Sequence, residues 1–101
     1  MTDLKKDEGK TRWSLLPFNV LEVVVKVLMF GMHKYEEDAW KNGDYLDARK
    51  RYFNAVYRHV VEQWWEKGEF LDKESKLPHL AHGICCLMFL LWYELKYRVE
   101  N

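Results

Sequence analysis

The chain has 101 residues, enough for one domain with one thin core, and its sixteen basic and sixteen acidic side chains cancel. A balanced surface excludes a broad basic footprint for duplex nucleic acid, so any anionic ligand must be held by a local cluster of charge. A domain this small also leaves much surface uncovered, which favours self-association.

Residues 1–14 are polar and read as an irregular arm; the charged start, with no apolar stretch behind it, gives no sign of a secretory leader. Within the arm, Lys5, Lys6, Lys10 and Arg12 surround Gly9. Glycine lets a backbone approach a phosphate and the cations neutralise it, although a solvated arm has the same composition and the spacing is not that of a Walker loop. Pro17 suits the first turn of a helix, with Ser14 as a possible cap. The first helix is predicted from about Leu16 to Met32, with Leu21, Val24, Val25 and Leu28 on one face. Gly31 weakly breaks it, and Asn42-Gly43 marks a turn. Asp44 is placed to cap a second helix, Tyr45 to Lys67, with Asp47 in its first turn. Its inner stripe reads Tyr45, Ala48, Tyr52, Ala55, Val56, His59, Val60 and Gln63, and Gly68 ends it. A charged loop, Glu69 to Pro78, leads to a third helix running to about Val99.

In that third helix Leu80, Ile84, Leu87, Met88, Leu91 and Leu95 form one stripe, thickened by Cys85, Phe89 and Trp92. A helix apolar on nearly all sides is expected to be the central, buried one. Its longest apolar run, Gly83 to Tyr93, is too short to span a bilayer. The adjacent Cys85 and Cys86 read as buried small hydrophobes in a reducing compartment. The fold class is therefore all-α: a small antiparallel bundle of three main helices in a single domain over residues 1–101, completed by homo-oligomerisation.

Several constellations can carry chemistry. His79 and His82 lie at i and i+3 near the start of the third helix, where imidazoles can hold a metal or a phosphate, though such pairs also serve as ordinary boundary residues. Arg58, His59 and Glu62 lie together on the second helix, with His59 on the inner stripe where leucine would be the default. Three of the four histidines thus fall on two helices expected to touch, which favours one shared polar pocket. Glu22 is flanked by apolar residues and needs a partner, a metal or solvent beside Lys26. Asp72 and Glu74 offer oxygen ligands of the kind Mg²⁺ takes, although a charged loop is more often just solvated.

Taken in order, these motifs resemble a known family. Lys6-Asp7-Glu8-Gly9-Lys10-Thr11-Arg12-Trp13-Ser14-Leu15-Leu16-Pro17 is similar to its opening signature, and Phe30-Gly31-Met32-His33-Lys34-Tyr35 with Trp40 resembles its second block. Arg58-His59 with Trp64 and Gly68-Glu69 resembles the third. Asp72 to His82, running into Phe89-Leu90, resembles the fourth. The family is that of the phage dATP/dGTP diphosphohydrolases, related in turn to the MazG-like all-α nucleotide pyrophosphohydrolases. Lys76 stands where the family usually shows a glycine, and Cys86 where it often has an asparagine.

The resemblance implies Mg²⁺- or Mn²⁺-dependent cleavage of a purine dNTP to the dNMP and pyrophosphate, in the cytoplasm of an infected host cell. It casts Lys10, Arg12, Lys34 and Arg58 as phosphate ligands and Trp13, Tyr35 or Trp40 as base-stacking residues. His59, His79 and His82 become the catalytic candidates, and Glu62, Asp72, Glu74 and Glu22 the metal-binding ones. MazG-like enzymes hold their metals on acidic clusters of facing helices; here the corresponding third-helix positions are His79 and His82. That departure keeps a rival open, a phage protein that sequesters a nucleotide or nucleotide signal without cutting it. A third reading is a structural bundle with no small ligand. The expected partners are a purine nucleotide and further copies of the chain, with no membrane and no duplex nucleic acid.

Overall fold

The computed structural model describes residue 6 and residues 8–100. Among them there is no strand, and three helices carry an all-α fold: α1 (Phe18–Gly31), α2 (Tyr45–Val56) and α3 (His79–Glu100). Short 3₁₀ turns occupy Trp13–Leu15 and Ala39–Asn42. Beyond Val56, α2 continues without a break through Tyr57–Glu66 in a wider, π-type winding, closed by Lys67 N–H donating to the Glu62 carbonyl at 3.2 Å. Periodicity alone predicts ordinary α-winding there. π-Turns are uncommon and gather at functional sites, and this one carries His59.

The ends follow local chemistry. Asp44 caps α2 by accepting the Asp47 N–H at 3.2 Å. Gly68, at φ +68°, stops the helix in the left-handed region that glycine enters freely. Ser14 does not cap α1: it sits inside the 3₁₀ turn, and the extended Pro17 precedes the first helical residue instead, its carbonyl accepting from Val20 and Leu21.

Both other helices pack on α3, and no Cα of α1 comes within 8 Å of one in α2. The central role expected of α3 is thus observed, but its inner face is not the expected one. The core joins Val24 and Val27 of α1 to Ala81 and Cys85 of α3, with Val23, Leu28, Leu77 and Phe89 against it. Val25, placed on the inner face by the sequence pattern, is exposed. Along α3 the buried side carries His79, Ala81, Gly83, Cys85 and Tyr93, whereas Ile84, Leu87, Met88, Leu91 and Leu95 are exposed. The leucine stripe therefore faces outward, because the small and aromatic side of α3 is the one that α1 and α2 can approach closely.

α2 lies antiparallel on α3, and ring contacts seven residues apart mark its register. Tyr45 stacks on Tyr97 with centroids 4.0 Å apart, Tyr52 meets Phe89 edge-on at 5.1 Å, and His59 stacks on His82 at 4.6 Å. Gly83 sits at the tightest approach, where an added Cβ would come 2.5 Å from Val60 Cγ2. The missing side chain lets the histidine-bearing end of α2 close onto α3. The link between α1 and α2 is pinned by buried Tyr93, whose hydroxyl donates to the Trp40 carbonyl at 2.6 Å and accepts the Gly43 N–H at 2.8 Å.

Candidate functional site

The site grows from the loop between α2 and α3. After Gly68 the chain doubles back. The Asp72 N–H donates to the Leu77 carbonyl at 2.8 Å, the Lys76 N–H to the Asp72 carbonyl at 2.9 Å, and the His79 N–H to the Phe70 carbonyl at 2.9 Å. Asp72 Oδ1 accepts the Ser75 and Glu74 N–H groups at 2.8 and 3.1 Å, a turn that aspartate makes readily. Lys76 closes this turn at φ +62°, a conformation that suits glycine better than lysine. The loop thereby sets Asp72 beside the first turn of α3 and delivers His79 to its N-terminal end.

There the three histidines meet. The Nδ1 atoms of His59 and His79 lie 2.8 Å apart and share a hydrogen bond, one ring donating and the other accepting. His82 stacks on His59 and is tied through Nε2 to Ser75 Oγ at 2.7 Å. His79 is only 3% exposed, and its Nε2 has no hydrogen-bond partner among the described residues; Glu69 Oε2 is 3.8 Å away. Ligand atoms of His59, Asp72 and His79 all fall within 4.8 Å of one another.

Burial dominates the electrostatics. It pushes His59 down to about 4, helped by His82, His79 and the Arg58 guanidinium. His82 is lowered as well, by burial first and against the opposing pull of Asp72. Burial alone would raise Asp72, but hydrogen bonds from Ser75 and the nearby His82 and His59 outweigh it and hold the carboxyl below its ordinary range. At neutral pH His59 and His82 are therefore neutral imidazoles near the Asp72 carboxylate.

Two cavities open on this cluster. One, of about 230 Å³, is lined by Arg58, Lys67 and Lys73 with Gln63, Glu69 and His79. The other, of about 870 Å³, runs between α1, the α1–α2 link and the α2–α3 pair, and its walls include Leu28, Phe30, Lys34, Tyr35, Glu74 and Met88. His59 and Asp72 line both and so stand at their junction.

The residues singled out from sequence are distributed unevenly around this centre. His59, His79, His82, Arg58 and Asp72 come together, and Lys34 and Tyr35 stand on the wall of the larger cavity. Lys34 pairs with Glu74, whose carboxylate raises the lysine's pKa. Trp40 also touches that cavity, but its ring is taken up by Phe89, stacked at 4.3 Å, and by the edge of Trp92, so it packs the fold instead of standing free for a base. Lys10, Arg12 and Trp13 are exposed and line neither cavity. Lys5 and Asp7 lie outside the described residues.

The acids expected to hold Mg²⁺ do not assemble. Glu22 pairs with Lys26 at 3.8 Å on the outer face of α1, Glu62 is exposed, neither lines a cavity, and Glu74 is engaged by Lys34. Of these four acids only Asp72 groups with the histidines among the described residues, so the four do not form a carboxylate-held Mg²⁺ site. Sequence reasoning missed Ser75 and Glu69. The spacing of Ser75 three residues after Asp72 is a turn signal that could have found the first; nothing local marks the second.

A family model described as "dATP/dGTP diphosphohydrolase, N-terminal" matches residues 1–101. A protein of Salmonella phage PMBT28 named dATP/dGTP diphosphohydrolase is 39% identical over 92 residues, which cover 91% of this chain and 30% of the phage protein. The chain thus spans about a third of the length of that relative. No solved structure matches the chain.

Proposed function

Because the chain belongs to the family of dATP/dGTP diphosphohydrolase N-terminal domains, we propose that it binds a purine deoxynucleoside triphosphate and contributes to its hydrolysis to the dNMP and pyrophosphate. One observation carries this reading: His59 and Asp72 stand where a small cationic cavity meets a larger, more apolar one. A triphosphate placed against Arg58, Lys67 and Lys73 leaves its nucleoside in the larger cavity, beside Phe30 and Tyr35. The α-phosphorus then falls near the junction, where Asp72 or a neutral imidazole can orient a water and accept its proton. The new P–O bond forms at the α-phosphorus as the bond to the pyrophosphate oxygen breaks, and the cations offset charge on the leaving group. On this reading the chain works in the cytoplasm of an infected cell, where dNTPs are found. Among the described residues no helix is long and apolar enough to cross a membrane.

The test is to incubate the purified chain with dATP, dGTP, dCTP and dTTP, each with a series of divalent metals, and to separate the products. Release of dAMP or dGMP with pyrophosphate is expected. No dNMP from any triphosphate removes the hydrolytic reading for this chain. The scarcity of carboxylates at the junction favours a second reading, capture without cleavage. It predicts a melting temperature raised by dATP or dGTP while the nucleotide is recovered intact.

A further inference from the structure

We propose that His59, His79 and Asp72 form a binding site for a divalent transition ion of the zinc class, in place of a carboxylate-held Mg²⁺. Ligand atoms from the three side chains already lie within 4.8 Å of one another, although they come from α2, the first turn of α3 and the loop between them. Two imidazoles and one carboxylate, with an open position toward solvent, make a donor set that Zn²⁺, Co²⁺ and Fe²⁺ take readily. Mg²⁺ prefers oxygen ligands alone and keeps most of its waters.

Each ligand is prepared for this task. Asp72 Oδ1 is used by the Ser75 and Glu74 N–H groups, which leaves Oδ2 for a cation and fixes the carboxylate plane. The two Nδ1 atoms, 2.8 Å apart, are bridged by a single proton. A metal replaces that proton once the rings separate to the roughly 3.3 Å that two nitrogens keep on a tetrahedral ion with bonds of about 2.0–2.1 Å. His79 Nε2 supplies the independent observation, a buried nitrogen with no hydrogen-bond partner among the described residues. With Nδ1 on a metal, Nε2 carries the N–H, and Glu69 Oε2, now 3.8 Å away, is the carboxylate that can orient it, as metal-bound histidines commonly require. The open side of the site gives onto the cavity lined by Arg58, Lys67 and Lys73, so an anion drawn there reaches the metal. His82 stays outside the set, held by Ser75 and stacked on His59 as a buttress.

The site stands on geometry whether or not the nucleotide reading holds, and its test uses no nucleotide. The full chain, stripped with a chelator, is titrated with Zn²⁺ and with Mg²⁺ by calorimetry, and with Co²⁺ by visible absorption. Stoichiometric Zn²⁺ binding, a low-symmetry Co²⁺ d–d spectrum without a thiolate charge-transfer band, and much weaker Mg²⁺ binding are expected. Asp72→Asn retains the Oδ1 acceptor of the turn, and His59→Gln alters only a half-buried ring; in each, Zn²⁺ affinity should fall at least about 100-fold with the helical circular dichroism unchanged. Glu69→Gln should weaken it about 10–100-fold. Absence of saturable Zn²⁺ or Co²⁺ binding by the folded chain overturns the proposal. So does binding that survives in folded Asp72→Asn and His59→Gln, or a thiolate band assigning the metal to Cys85 and Cys86. Metal binding without dNTP turnover would leave this site standing and remove only the hydrolase.

Discussion

At the scale of single residues, Lys76 and His59 hold conformations or charge states that the fold imposes on them. Lys76 sits at φ +62°, where a side chain costs about 1–2 kcal/mol relative to glycine, while glycine's extra freedom when unfolded returns about 0.5–1. Lys76→Gly should therefore stabilise the chain by about 0.5–1 kcal/mol in urea denaturation. An unchanged or lower midpoint would show that the lysine side chain contributes something the backbone argument omits. His59 is held down to about 4 and His82 is lowered too, whereas both return to about 6.5 when unfolded. Between those values the unfolded chain binds more protons than the folded one, so stability must fall as pH drops. The contribution is complete above about pH 6.5 and is lost toward about pH 4. Denaturation midpoints of the chelator-treated chain should trace this decline, and His59→Gln should flatten it. Equal slopes in the two proteins would refute the assignment.

At the scale of elements, the site depends on how closely α2 and α3 approach. An alanine at Gly83 would place its Cβ 2.5 Å from Val60 Cγ2. Overpacking of this kind costs about 1–3 kcal/mol, against about 1 kcal/mol of helix propensity gained. Gly83→Ala should thus be destabilising by up to about 2 kcal/mol, and it should cost less in a Val60→Ala background, because the clashing methyl is gone. A double-mutant cycle measures that coupling, and additive effects would mean that the contact does not limit the approach. The consequence reaches function, since His82 lies next to Gly83 and stacks on His59, one residue before Val60. Widening the helix pair should therefore loosen the histidine cluster.

At the scale of the whole molecule, the chain is too open for its size. Its accessible surface is 8275 Å² and its radius of gyration 16.5 Å. A compact monomer of this mass is expected to expose about 6,100 Å², and one of this length to have a radius near 13 Å. The excess, about 2,000 Å², exceeds the roughly 800 Å² that each partner gives to a standard interface. An apolar stripe on α3 is part of the exposed surface, with Leu87, Leu91 and Leu95 more than half exposed. We propose that a second copy covers this face, because the same stripe on both helices is self-complementary. Light scattering on the purified chain should report a dimer, and Leu87→Glu combined with Leu91→Glu should yield a folded monomer. A monomeric parent protein at micromolar concentration would exclude this assembly.

Local chemistry, readable along the chain, determined where the helices lie. Asp44 caps α2, Gly68 ends it, and the inner stripe from Tyr45 to Gln63 is wholly or partly buried as its spacing requires. The likeness of the ordered motifs to one family and the gathering of His59, His79 and His82 were legible for the same reason: each rests on residues close in sequence or on two adjoining helices. The side of α3 that became the interior was not legible. Its leucines and its small and aromatic residues both form continuous stripes, and only the approach of α1 and α2 chose between them. The fate of the acids was equally hidden. Glu22, Glu62 and Glu74 look like ligands in one dimension, yet Lys26, solvent and Lys34 claim them. A ligand set is a matter of distance across elements, and the pairing of Asp72 with two histidines exists only once the α2–α3 loop has folded back on itself.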